Sequence, residues 1–146
     1  MARAFDKIGN AVARIFAEFA RLLRRREGIV KEITTVDELN DCLESTSERP
    51  VFIFKHSTRC PISARAKSRV AQFLASKTDK NGGLPEFYLL KVVESRAASN
   101  ALAEQLGVEH QSPQLLLVDK GRSIWNTSHH NINAGNIEKA IQSAAA

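Results

Sequence analysis

The sequence predicts an α/β domain, a mixed central sheet with helices on both faces, preceded by one separate amphipathic helix. Three observations carry the prediction. Strand-like and helix-like segments alternate from residue 29 to residue 118, which implies parallel neighbours joined by crossovers. Two runs, Val51-Phe52-Ile53-Phe54 and Leu115-Leu116-Leu117-Val118, are continuously apolar, as in strands covered on both faces. After the second run, Asp119-Lys120-Gly121-Arg122 reads as a hairpin turn and adds antiparallel pairing.

The elements follow in order. Phe5, Ile8, Val12, Ile15, Phe16, Phe19, Leu22 and Leu23 recur at helical spacing and gather on one face. Arg24, Arg25 and Arg26 complement the helix dipole in the last turn, and Gly28 is a stop. The expected division is therefore an N-terminal helix over 1–27 and a domain over 28–146. A short strand over 29–33 comes next. Thr35 and Glu38 have the spacing of a capping box and open a helix with Val36, Leu39, Cys42 and Leu43 inward. Pro50 ends that stretch before the first apolar strand. Pro61 suits the first position of a helix running to about Ser76. Asn81-Gly82-Gly83-Leu84-Pro85 lies in a loop, 87–93 is a third strand, and 96–106 is a helix stopped by Gly107. The second apolar strand, a returning strand over 123–128 and a helix over 134–143 close the chain.

Composition removes several function classes. A chain of 146 residues that is 43% hydrophobic and 25% charged builds one core, which excludes disordered and collagen-like classes. No apolar run is long enough to span a bilayer, and no secretory leader is legible, so a cytoplasmic location is expected. Two cysteines are too few for a disulfide scaffold or a thiolate zinc site. The net charge of +5 sits mainly in residues 1–27, with seven bases against three acids, so the domain itself is nearly neutral. With one Trp and one Tyr there is no stacking platform, and no nucleic-acid partner is expected. His129 and His130, expected on a strand, point to opposite faces and cannot easily share a metal ion.

The chemistry centres on Cys60. It closes a strand-to-helix loop and opens a helix, where unpaired N–H groups and a partial positive charge favour the thiolate. Residues 49–78 hold seven bases and no acid, with Lys55, Arg59 and His56 nearest in sequence. The motif is Cys60-Pro61-Ile62-Ser63. Where a dithiol oxidoreductase has its resolving cysteine, this chain has Ser63, which can donate a hydrogen bond to the thiolate but cannot form a disulfide. A thiol adduct on Cys60 would have to be removed by a second, external thiol. Ser112-Pro113, just before a buried strand, is a second element. The residues alone leave both isomers of that bond open. A cis bond would present the Ser112 backbone to an extended thiol substrate. Cys42, beside Leu39 and Leu43, reads as packing, because a bridge to Cys60 needs Cα atoms within about 7 Å and the topology puts it on another helix.

The run Phe54-Lys55-His56-Ser57-Thr58-Arg59-Cys60-Pro61-Ile62-Ser63-Ala64 resembles the active-site segment of the monothiol bacilliredoxins, the YtxJ-like (bacilliredoxin C) family. Gln111-Ser112-Pro113-Gln114 is similar to that family's cis-proline loop. The resemblance covers about residues 29–142 and leaves the helix over 1–27 outside it. It implies a thioredoxin-like three-layer sandwich and a thiol–disulfide oxidoreductase that removes bacillithiol from protein mixed disulfides. The implied roles are Cys60 as nucleophile, Pro61 shaping the helix start and Ser63 supporting the thiolate. Ser112 and Pro113 would hold the substrate, with Lys55, Arg59 and Arg65 as a basic rim. The rim suits any anionic small thiol, bacillithiol or another, through charge-assisted hydrogen bonds. That thiol is a co-substrate, and no bound cofactor is expected. Thiolated client proteins are the implied partners. A second reading is a non-catalytic sensor or interaction module whose Cys60 is a thiolation target. The helix over 1–27 has three readings: packing on its own domain or a twin in a homodimer, lying on an anionic membrane, or anchoring another protein.

Overall fold

The computed structural model describes residues 30–77 and 84–146, and Arg14 besides. The helix expected over 1–27 therefore lies outside the described residues, Arg14 excepted, as does most of the loop expected before Leu84. The order is β1 (Val30–Ile33), α1 (Val36–Ser45), β2 (Val51–His56), α2 (Pro61–Ser76), β3 (Glu86–Lys91), α3 (Arg96–Leu106), β4 (Gln114–Asp119), β5 (Arg122–Ser128) and α4 (Ala134–Ala145).

Local sequence explains the boundaries. Thr35 caps α1 with a complete capping box: its hydroxyl accepts from the Glu38 N–H, and the Glu38 carboxylate accepts from the Thr35 N–H. Gly107 takes a left-handed conformation at the end of α3, which a glycine adopts without steric penalty. The β4–β5 turn has positive φ at both Lys120 and Gly121, the geometry that matches the twist of a two-residue hairpin. Thr46 anchors this turn: its carbonyl accepts from the Lys120 N–H and its hydroxyl from the Gly121 N–H. β3 stops at Lys91, short of the expected Val93, because a turn closed by the Ser95 N–H on the Lys91 carbonyl leads the chain away. His129 and His130 fall in a single 3-10 turn after β5, not on the strand itself. Among the described residues no group of three or more His, Cys, Asp or Glu could hold a metal ion.

The five strands lie in the order β1-β3-β2-β4-β5. β2 runs parallel to β3 and antiparallel to β4, and β4 pairs antiparallel with β5. All six residues of β2 are buried, the apolar run over 51–54 as a central strand requires and Lys55 and His56 with it. Alternation along β2 divides the core in two. Phe52 and Phe54 meet Ala66, Val70 and Phe73 of α2 and Ile137 and Ala140 of α4. Val51 and Ile53 meet Leu39 and Cys42 of α1 and Ala98 and Leu102 of α3. Helices thus cover both faces, and each buried large side chain contributes about 1.5–3 kcal/mol of burial free energy. Phe52 is the hub of its face, stacked on Phe87 at 4.5 Å and edge-on to Trp125 at 6.3 Å.

Candidate active site

Cys60 lies where β2 hands over to α2. It is the residue immediately before the helix, in extended conformation, with Pro61 in the first turn. Its carbonyl accepts the first helical hydrogen bond, from the Ala64 N–H, at 3.0 Å. The sulfur is in no disulfide, and the residue is partly exposed. Cys60 thus stands at the positive end of the α2 dipole. Arg59 and Arg65 are both exposed beside it in the chain.

Ser63 is one turn further on and fully buried. Its Oγ accepts from the Ser57 N–H at 2.9 Å and lies 2.8 Å from Nδ1 of His56. These are the hydrogen bonds its hydroxyl makes in the structure, and neither is to Cys60. Ser63 instead ties the end of β2 to the first turn of α2, and so fixes the loop that carries Cys60. His56 is buried too, and its ring stacks on Phe54 with centroids 5.7 Å apart. Burial, helped by the charge of Lys67, holds its pKa below 6.5. The neutral imidazole can accept the Ser63 proton at Nδ1.

Sequence proximity misplaced Lys55. It was expected on the basic rim, but it is only 1% exposed and points to the face covered by α1 and α3, because side chains on a strand alternate. Its Nζ is 2.6 Å from Nδ1 of His110 and 3.4 Å from the Ser99 carbonyl. Burial lowers its pKa from 10.5 to about 8.

The acid-free surroundings read from residues 49–78 do not survive folding either. Glu94, from the turn after β3, accepts a hydrogen bond from the Thr58 hydroxyl at 2.6 Å. That bond, chiefly, holds its pKa below 4.5, and Arg59 adds to the effect. No local motif pointed to Glu94, because the parallel β2–β3 pairing brings it in. Cys42 is buried on α1, among the residues of the opposite face, and burial with the charge of Glu86 pushes its thiol up to about 12.

The Ser112–Pro113 bond is cis, and Pro113 is buried. The register pairs Lys55 with Gln114, so Pro113 stands level with His56, at the end of the sheet that carries the Cys60 loop. Ser112 Oγ is buried without a hydrogen-bond partner.

A model of the family "Monothiol bacilliredoxin BrxC" matches residues 31–137. This chain belongs to the monothiol bacilliredoxin family. Its fold is that of the thioredoxins. A solved thioredoxin-fold structure assigned as an oxidoreductase is 30% identical, with a TM-score of 0.67 over 79% of this chain and 96% of that one. Thioredoxin f from spinach chloroplast is similar at 16% identity and TM-score 0.61, over 82% of this chain and 96% of its own. Fasciola hepatica thioredoxin matches at 16% identity and TM-score 0.59, over 78% and 98%. This bacilliredoxin is accordingly a thiol–disulfide oxidoreductase, acting on protein substrates and small thiols. No described helix is long and apolar enough to cross a membrane.

Proposed function

We propose that this bacilliredoxin removes bacillithiol, or a similar small anionic thiol, from protein mixed disulfides, with Cys60 as its nucleophile. The Cys60 sulfur attacks the small-thiol sulfur of the mixed disulfide. The client thiolate leaves and takes up a proton, and the small thiol stays on Cys60 as a disulfide. A second small thiol, as thiolate, attacks that adduct, releasing the oxidised small-thiol dimer and restoring Cys60. The net exchange turns the mixed disulfide and one incoming small thiol into the free client thiol and the oxidised small-thiol dimer, so the incoming thiol is the reductant.

One observation carries the reading. Cys60 is a free, partly exposed residue at a helix N-terminus, with a buried serine where a resolving cysteine would stand and the second cysteine of the chain buried elsewhere. Arg59 and Arg65 supply charge for a carboxylate-bearing thiol. Ser112 and Pro113 offer backbone to the extended segment around the disulfide.

The test is mass spectrometry after mixing the protein with a peptide–bacillithiol mixed disulfide. The adduct should appear on Cys60 in the wild type and in Cys42→Ser, and Cys60→Ser should remain unmodified and inactive. Turnover by Cys60→Ser, or an adduct on Cys42, would sink the proposal. Repeating the assay with the glutathione mixed disulfide ranks the two thiols.

A further inference from the structure

Lys55 is a buried charge that the exchange chemistry leaves unused. None of the described carboxylates pairs with it. A buried ammonium without an acid lowers stability, and a methionine of similar length would fill the same space without that penalty. Packing therefore gives no reason for a lysine here, and its contacts do. Its head group reaches His110, which lies on the segment leading from α3 to Pro113.

That segment is held from one place. Lys55 and Gln114 are cross-strand partners, so their side chains leave the sheet on the same face. Gln114, also buried, donates from Nε2 to the Glu109 carbonyl at 3.1 Å and accepts at Oε1 from the Gln111 N–H at 3.3 Å. Lys55 takes the residue between them. Residues 109, 110 and 111 are thus each tied to the β2–β4 pair, immediately ahead of Ser112 and Pro113. Burial, and then the Lys55 charge, keep His110 below its usual 6.5, so its Nδ1 is an acceptor for the ammonium at neutral pH.

We propose that Lys55 is a positioning residue for the thiolated-protein substrate. Through His110 it fixes the course of residues 109–111, and with it the backbone of Ser112 and Pro113 against which the client segment lies. The inference rests on the proposed role of Cys60 and extends that site to a residue on the far side of the sheet.

The experiment compares the wild type with Lys55→Met, His110→Leu and His110→Gln on a peptide–bacillithiol mixed disulfide. Lys55→Met should raise KM roughly tenfold, the equivalent of one charge-assisted hydrogen bond, with kcat nearly unchanged. Its urea midpoint should hold or rise. His110→Leu should act alike, and the double variant should be no worse than either single one, because both remove one interaction. His110→Gln keeps an acceptor and should stay near the wild type. Alkylation of Cys60 by iodoacetamide, which needs no client segment, should be the same in all. An unchanged KM in Lys55→Met and His110→Leu, with turnover still dependent on Cys60, would overturn this inference alone. Loss of stability in Lys55→Met with KM unchanged would make Lys55 a packing residue. Turnover in Cys60→Ser would overturn the site itself.

Discussion

Ser63 shows how much one atom can carry. Its Oγ satisfies a backbone N–H and meets a buried imidazole, and Ser63 itself is fully buried. Ser63→Ala should therefore lower stability by about 1–3 kcal/mol, the usual penalty for orphaning buried polar groups, and a urea midpoint would show it. A midpoint equal to the wild type would mean that the bridge contributes nothing. The role of this residue was only half legible in the sequence. Its position three residues after Cys60 was plain, and so was its inability to form a disulfide. Its partner was not, because hydrogen bonding to the last residue of the preceding strand depends on how the loop closes. The place of Lys55 follows from a simpler rule. It follows an apolar run whose alternation assigns Val51, Ile53 and Lys55 to one buried face, whatever the distance in sequence to Cys60.

The elements were more legible than the contacts between them. α1 was set by its capping box, and α2 by Pro61 after a strand covered on both faces. Thr35→Ala should remove the cap of α1 and lower stability by about 0.5–2 kcal/mol, with the Cys60 alkylation rate unchanged because that helix lies away from the sulfur. A changed alkylation rate would show that the two faces of the sheet communicate. Less legible was the order of strands. Segments alternating as strand and helix imply parallel pairs, yet β2 has one parallel and one antiparallel neighbour, and only that arrangement puts Glu94 and Pro113 at the same end as Cys60. Long-range pairing of this kind is decided by the whole core, and no window of sequence contains it.

For the molecule as a whole, the histidines and carboxylates with shifted pKa values point in one direction. His56 and His110 have pKa values held below 6.5, so the folded state resists protons that the unfolded chain accepts. Their contribution to stability is present above 6.5 and is lost as the pH falls from there toward the folded values. Glu38, Glu86 and Glu94 lie below 4.5, and their contribution is lost at lower pH still. Lys55 acts with the same sign at the alkaline end. Its pKa of about 8 lies below the unfolded 10.5, so its own contribution rises with pH between the two, while Cys42, held up at about 12 against 9.0, gives the opposite slope above 9. Urea midpoints against pH should thus fall in two stages on acidification. In Lys55→Met the alkaline gain should shrink, and an identical alkaline profile would show that Lys55 is not the group responsible.

The burial of Cys42 has a consequence for how the proposed cycle would be driven. A sulfur shut inside the opposite face offers Cys60 no colleague within the chain. A loaded molecule would wait for an outside donor, and the waiting time would depend on how much donor the surroundings hold. The fraction of molecules caught in the loaded form would then read out the state of that reservoir, making each copy a gauge of the supply as well as a consumer of it.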